Sequence, residues 1–360
     1  CALSNVPSSQ IDPQDCVECY RTEVSEGKLE CVGCSDSYPI IGGVPRILSP
    51  PLLDESLTAY HADFLDRYGG EFSNLVTLQK RTDRKKAKTL HAFSYQWTTF
   101  IENFNYFKGI FLSFVKPFLE PEDFRDRVVL EIGCGSGRPA SVASSFGAEV
   151  IATDLSEAVQ TAQSLTNHYP MLHVVQSDVY TPPFRPYFDF VYSVGVIQHL
   201  PDPGLALRSI SKVVTPGRRL IVWVYGIREF WYRPIDWLRT ITVKMPFRML
   251  HGLSILLAIA SEVFLLVPYR ILSRIPFTKR LADKIPGHIY ANFPFRENVV
   301  GWFDRLGAPV THYFSATDVE YMLARAGFRQ IEVMARPGAS ASWIAQAVRD
   351  TTDANVVLGS

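Results

Sequence analysis

The sequence predicts an α/β protein: a doubly wound, mostly parallel sheet, with a small cysteine-bearing unit ahead of it and a helical insertion within it. Three observations carry this. From Arg127 short apolar runs alternate with helical stretches, the βαβ rhythm of a parallel sheet covered on both faces. The first of those runs ends in a glycine-rich turn. Two CxxC pairs, Cys16/Cys19 and Cys31/Cys34, precede it.

Taken in order, residues 1–50 form a compact unit too short to bury its own core, so a metal staple is its natural support. The CxxC spacing lets four thiolates surround one tetrahedral Zn²⁺. A disulfide framework would suit a short secreted chain. These pairs precede a cofactor-binding pattern, so a reducing cytoplasm is expected. Pro50-Pro51 reads as a linker. Residues 51–126 read as a helical cap. In 127–225 the runs at Val128–Ile132, 149–153, 172–175, 188–193 and 219–224 read as strands. Residues 226–314 interrupt the rhythm. Residues 315–360 add a helix and two more strands, 330–335 and 342–348, which makes seven.

The bulk numbers narrow the class. Hydrophobic residues at 47% and charged residues at 20% give a globular chain with a real core. Lys plus Arg equals Asp plus Glu at 36 each, so nothing in the bulk charge calls for nucleic acid. The residues present contain no charged-then-apolar signal peptide.

The chemistry concentrates in Val128-Val129-Leu130-Glu131-Ile132-Gly133-Cys134-Gly135-Ser136-Gly137. A buried strand runs into glycines that let the backbone bend and approach a ligand. Pro139 suits a helix start. Glu131, just before the glycines, disfavours a pyrophosphate and favours a sulfonium or ammonium. Asp154 lies about twenty residues on, at the next strand end, where a carboxylate accepts both ribose hydroxyls of a nucleoside. Asp178 follows the third strand and can meet an adenine amino group. The fourth strand leads through Ser193 to His199.

These residues resemble the class I, Rossmann-like S-adenosylmethionine methyltransferases, of the type that includes ubiquinone and menaquinone methyltransferases. The resemblance covers about residues 127–224 and resumes at 315–348. It implies a seven-stranded sheet with an antiparallel final strand. It also implies that Glu131, Gly133, Cys134, Gly135 and Gly137 hold the methionine end, Asp154 the ribose, and Asp178 with Val179 the adenine. Leu155, Ser156 and Ser193 join that cofactor set. Arg218 stands where a second glycine is usual. The N-terminal ribbon, with Tyr38-Pro39-Ile40 and Gly43-Val44-Pro45, resembles the Trm112-like zinc ribbon. In that family such ribbons support a methyltransferase partner; here the two are fused. Four thiolates on Zn²⁺ leave no open position, so the metal is expected to be structural.

His199 is the candidate proton acceptor during methyl transfer; the alternative is a helix-start histidine bonded to backbone. Phe93-Ser94-Tyr95-Gln96-Trp97 is expected to close over the sulfonium, or to be ordinary helix packing. His312-Tyr313 is expected to line the acceptor pocket. The insertion is strongly basic, with Arg270, Arg274, Lys279 and Arg280 among its cations. Its apolar run, 253–267, is short for a membrane span. It reads either as a buried lid helix or as part of a peripheral membrane contact through 226–296. The expected acceptor is a small-molecule, glycan or lipid-linked compound, by analogy with fused chains of this kind. A Trm112-type tRNA or protein methyltransferase would carry an Asn-Pro-Pro-Tyr type motif, where this chain has Ser193-Val194-Gly195-Val196. A noncatalytic binding module would not need Glu131, Asp154 and Asp178 intact.

Overall fold

The structure, a computed structural model, describes residues 23–31, 33, 36–72, 84–100, 104–227, 233–285, 287–336 and 342–351. Its strands are β1 Glu26–Glu30, β2 Ser37–Ile41, β3 Val44–Ile47, β4 Val128–Ile132, β5 Glu149–Asp154, β6 Leu172–Ser177, β7 Phe188–Val194, β8 Val214–Tyr225, β9 Phe328–Ala335 and β10 Ser342–Arg349. Neighbouring residues on the central strands face opposite sides, as the period of two requires. Val129 and Phe190 pack with Phe107, Phe111 and Val115 of the Phe104–Val115 helix. Leu130 and Val191 pack on the other face with Leu207 and Ile210 of the Pro203–Val213 helix, and with Val319 and Leu323 of the Ala316–Arg325 helix. The β4 and β7 runs therefore each fill two cores.

The order across the sheet is β1-β2-β3-β6-β5-β4-β7-β8-β10-β9. Strands β4 to β8 pair in parallel, and β10 lies antiparallel between β8 and β9. All seven expected strands form, but the sheet has ten. The N-terminal meander β1–β3 joins it, with β3 parallel to β6 through Arg46↔Gln176 and Ile47↔Ser177. An open edge beside β6 would leave unpaired backbone groups, and β3 covers them. Nor is Pro50-Pro51 a linker. The two prolines open the Pro50–Tyr60 helix, where their missing N–H groups cost nothing.

The insertion leaves the sheet after β8, and its stem is closed by a bridge between Gly226 and Phe314. It contains the Arg233–Thr242 helix, the Phe247–Leu272 helix and the Phe295–Gly307 helix. The middle one is 26 residues long, well beyond the apolar run expected, and includes a π segment at Glu262–Leu266. Leu250 packs with Phe100, Val299, Val300, Phe303 and Leu306. Glu297, Val300, Gly301 and Asp304 of the Phe295–Gly307 helix face the carboxyl ends of the strands across one cavity.

Candidate cofactor and acceptor site

A cavity of about 300 Å³ opens along those carboxyl ends. Its floor is the turn after β4. Gly133 has φ of +79°, and a Cβ there would stand 2.1 Å from Val196 Cγ2. Gly135 has φ of +52°, and a Cβ there would meet the Trp97 indole at 3.2 Å. No other residue type fits such a turn without displacing a wall of the cavity. Gly133, Cys134, Gly135, Asp154, Leu155, Asp178, Val179 and His199 all line the cavity. Glu131, Gly137, Ser156 and Ser193 stand behind that wall.

Asp154 is fixed by backbone. Its Oδ2 accepts from Gly135 N at 2.9 Å, and its Oδ1 from Ser156 N at 2.8 Å and Ser156 Oγ at 2.6 Å. Burial pushes its carboxyl up, against the pull of the Ser156 and Gly135 hydrogen bonds. The Leu155 backbone bonds it as well, so its roughly four acceptor positions are engaged, and the expectation that it takes both ribose hydroxyls would require it to exchange some of these bonds. Asp178 takes Tyr180 N at 3.0 Å and Lys86 Nζ at 2.5 Å. An adenine amino group would share that carboxylate with Lys86, a residue absent from the expected set. Ser193 Oγ donates to the Ile132 carbonyl at 3.0 Å, which holds β7 to β4 behind the wall.

Glu131 does not face the cavity as expected. It is fully buried, accepts from Tyr192 Oη at 3.2 Å, and its Oε1 has no hydrogen-bond partner. Burial raises its carboxyl to about 8; the Tyr192 bond opposes this and Asp154 adds to it. Ionising an acid with an unpartnered oxygen in the core is costly, which is why burial favours its protonated form. The glycine cradle and the braced Asp154, both on the cavity wall, fit S-adenosylmethionine.

Beyond β4 the cavity runs past β7 and β8. His199 Nδ1 lies 2.9 Å from the Val310 carbonyl, which can only accept. Nδ1 therefore carries the proton, and Nε2 is the basic nitrogen of the neutral ring. Nε2 lies 4.0 Å from Asp304 Oδ1, and Asp304 Oδ2 accepts from Tyr225 Oη at 2.8 Å. Phe93 and Tyr225 set their rings edge-on to His199, each at 5.4 Å. Of the aromatic segment expected over the cofactor, Phe93, Gln96 and Trp97 line the cavity. His312 and Tyr313 do not line it: His312 Nε2 contacts the Leu200 carbonyl at 3.0 Å and Tyr313 Oη donates to Asp236. The sequence reading missed Asp304, Tyr225, Trp223 and Arg336 at this end; only their place at or after a strand end or on the insertion hinted at them.

Of the four cysteines expected to bind zinc, Cys16, Cys19 and Cys34 lie outside the described residues. Cys31 is exposed, and the described residues contain no cluster of metal ligands.

A nucleoside-shaped cradle at the ends of β4 to β6 opens sideways onto a histidine after β7, the arrangement expected of a class I S-adenosylmethionine-dependent methyltransferase domain. Comparison with known proteins agrees. Residues 130–222 match the family described as a methyltransferase domain. The chain is similar to a ubiquinone biosynthesis O-methyltransferase of Hydrogenovibrio crunogenus, 25% identical over 118 residues, covering 32% of this chain and 46% of the relative. It is 30% identical over 109 residues to the chloroplastic tocopherol O-methyltransferase of Arabidopsis thaliana, covering 29% and 31%. The chain thus spans less than half the length of either relative. A solved S-adenosylmethionine-dependent methyltransferase of Thermotoga maritima aligns with 73% of this chain and all of its own, at 16% identity and a TM-score of 0.40.

Proposed function

We propose that the whole chain transfers a methyl group from S-adenosylmethionine to a small-molecule acceptor seated between His199 and the insertion. The observation that carries this is the continuity of one cavity from Asp154 and Asp178 to the basic nitrogen of His199. Bound S-adenosylmethionine supplies an electrophilic methyl on a sulfonium. Asp154 and Asp178 anchor the nucleoside, so the acceptor side of the cavity is left for in-line attack, and alignment supplies most of the rate. His199 Nε2 takes the proton from the attacking hydroxyl or acidic C–H, and Asp304 stabilises the imidazolium. Trp97 and Phe93 keep water from the reacting atoms.

Three finer readings go with it. The acceptor is lipid-linked or carries a glycan, a reading supported by an apolar outer face on the insertion; the basic 226–296 segment would then rest on the cytoplasmic surface of a membrane. The chain works in the cytoplasm. Cys16, Cys19, Cys31 and Cys34 hold one structural Zn²⁺, supported by their spacing; purified protein free of zinc by elemental analysis would remove that reading.

Calorimetry with S-adenosylhomocysteine tests the cofactor assignment. The wild type should bind, and Asp154→Ala should lose about 1–3 kcal/mol, the cost of unmade charged hydrogen bonds. Equal binding by both proteins would refute the role of Asp154.

A further inference from the structure

Three cationic side chains, Lys86, Arg138 and Arg336, line the cavity, along with four acids. Most of these charges are matched in place. Lys86 pairs with Asp178 at 2.5 Å and Arg138 with Glu297 at 3.1 Å. Asp154 is held by Gly135 and Ser156, and Asp304 by Tyr225. Arg336 is different: among the described residues it has no ion pair. It follows β9, at the far edge of the sheet from β6, so by strand order it stands at the opposite end of the cavity from Asp178.

The Arg336 side chain is positioned but not satisfied. Nη2 donates to Ser113 Oγ at 2.8 Å, and the guanidinium lies 4.2 Å from the Phe114 ring and 5.5 Å from the Trp223 ring. Its Nε is buried without a hydrogen-bond partner, and so is Nε1 of the neighbouring Trp223. Burial lowers its pKa to about 10, partly offset by Tyr290 and Tyr225, so it stays charged at neutral pH. A desolvated cation beside two unmet donors is expensive unless something supplies acceptor oxygens. Carboxylates and phosphates do so, and a guanidinium recognises both. A neutral hydroxyl or an apolar ring would leave the charge unmet.

We propose that Arg336 and Trp223 Nε1 bind an oxyanion of the acceptor, a carboxylate or a phosphate, so that the substrate is an anionic small molecule or headgroup whose nucleophile reaches His199 while its anion rests beside β9. The role assigned to His199 in that sentence rests on the methyl-transfer reading; the anion site does not. Arg336 is thus a specificity residue rather than a mere strut between two rings.

The probes are two matched pairs, 3-hydroxybenzoate against 3-hydroxybenzamide and phenyl phosphate against phenol, titrated calorimetrically into the full chain with and without S-adenosylhomocysteine. At least one anion should bind about tenfold or more tighter than its neutral partner, as a charge-assisted hydrogen bond allows. Whichever pair shows the preference identifies the anion. Arg336→Gln should erase the preference; Arg336→Lys should keep part of it, because the charge stays while the planar donors go; Trp223→Phe should reduce it. Thermal melting and S-adenosylhomocysteine binding of the variants show that they fold. Equal binding within both pairs, or a preference that survives in Arg336→Gln, would overturn the proposal. Failure of the wild type to bind S-adenosylhomocysteine would instead overturn the methyl-transfer reading, and the anion comparison without cofactor would still stand or fall alone.

Discussion

Nδ1 of His199 donates to the Val310 carbonyl, and that single bond decides which nitrogen can do chemistry. It bears on both readings that the sequence leaves open. The histidine is bonded to backbone, but through Nδ1, so under the proposed reaction that bond would orient a base instead of consuming one. His199→Gln should lower kcat by about 10²–10⁴, the usual worth of a positioned base, while S-adenosylhomocysteine affinity stays near wild type. Unchanged turnover would mean that the acceptor ionises without help. The glycine turn, Asp154 and Asp178 were legible in the sequence because each lies at or just past the end of its own strand, and local spacing fixes where they go. Glu131 was legible as a special acid, but strand alternation turns it into the core, towards Tyr192. Asp304 and Arg336 were not legible, because 105 and 137 residues of sequence separate them from His199 and only tertiary packing brings them to one cavity. His312 was misread for the same reason. Its contacts with the Leu200 carbonyl and, through its own N–H, with Gln198 brace the loop that supplies Val310.

At the scale of the element, the Phe247–Leu272 helix has two unlike faces. One packs on the Phe295–Gly307 helix through Leu250, Ser254, Ala258 and Ser261, with Asn298 and Trp302 donating to Ser261 Oγ. The other exposes Leu256, Ile259, Val263, Phe264 and Ile271, and Phe277 is 86% exposed just beyond. The run was visible in the sequence, but it is apolar all round, so its periodicity did not reveal which side packs; the small residues decide that. An exposed apolar ridge of this kind marks an interaction surface. Arg248, Arg274, Lys279 and Arg280 are exposed beside it, whereas Arg270 is engaged by Glu262. Each basic residue near an anionic bilayer adds about 1 kcal/mol. Co-sedimentation with phosphatidylserine-containing vesicles should therefore be salt-sensitive. It should be weakened by neutralising Arg274, Lys279 and Arg280, and abolished by adding Leu256→Ser and Phe264→Ser. No vesicle binding at low salt would exclude a membrane role for this helix.

At the scale of the molecule, the N-terminal meander is part of the catalytic domain's own sheet. Spacing within the first fifty residues could suggest a separate unit, but it could not show β3 pairing with β6, a partner about 130 residues away. The join is polar. Arg46, fully buried, donates from Nη1 to both Glu157 oxygens at 3.0 and 2.8 Å and to Gln176 Oε1 at 2.5 Å. Ser56 and His61 bond the same carboxylate from the helical cap, and Glu157 N donates to Ser94 Oγ. Glu157 thereby ties the meander, the cap and the loop that carries Leu155 and Ser156 to one point. Burial alone would raise its carboxyl, but His61, Arg46 and Ser56 outweigh it and hold it at about 2. The folded value lies below the ordinary carboxylate value, so this contribution to stability is complete above about pH 4.5 and is lost as pH falls towards about 2. Arg46→Met removes the matching charge and leaves a buried carboxylate short of a partner, which should cost about 3–5 kcal/mol near neutral pH. The variant should also lose less stability than the wild type between pH 5 and pH 3, since its carboxyl takes up a proton at higher pH. Urea unfolding of both proteins across that range is the check. Parallel pH profiles would mean that β3 is held by its backbone pairing and apolar contacts, with the ion cluster as a bystander. A steeper wild-type profile would place the acid-sensitive joint of the fold at Glu157, two residues from the cofactor loop's Leu155, and S-adenosylhomocysteine affinity should then fall with stability in Arg46→Met.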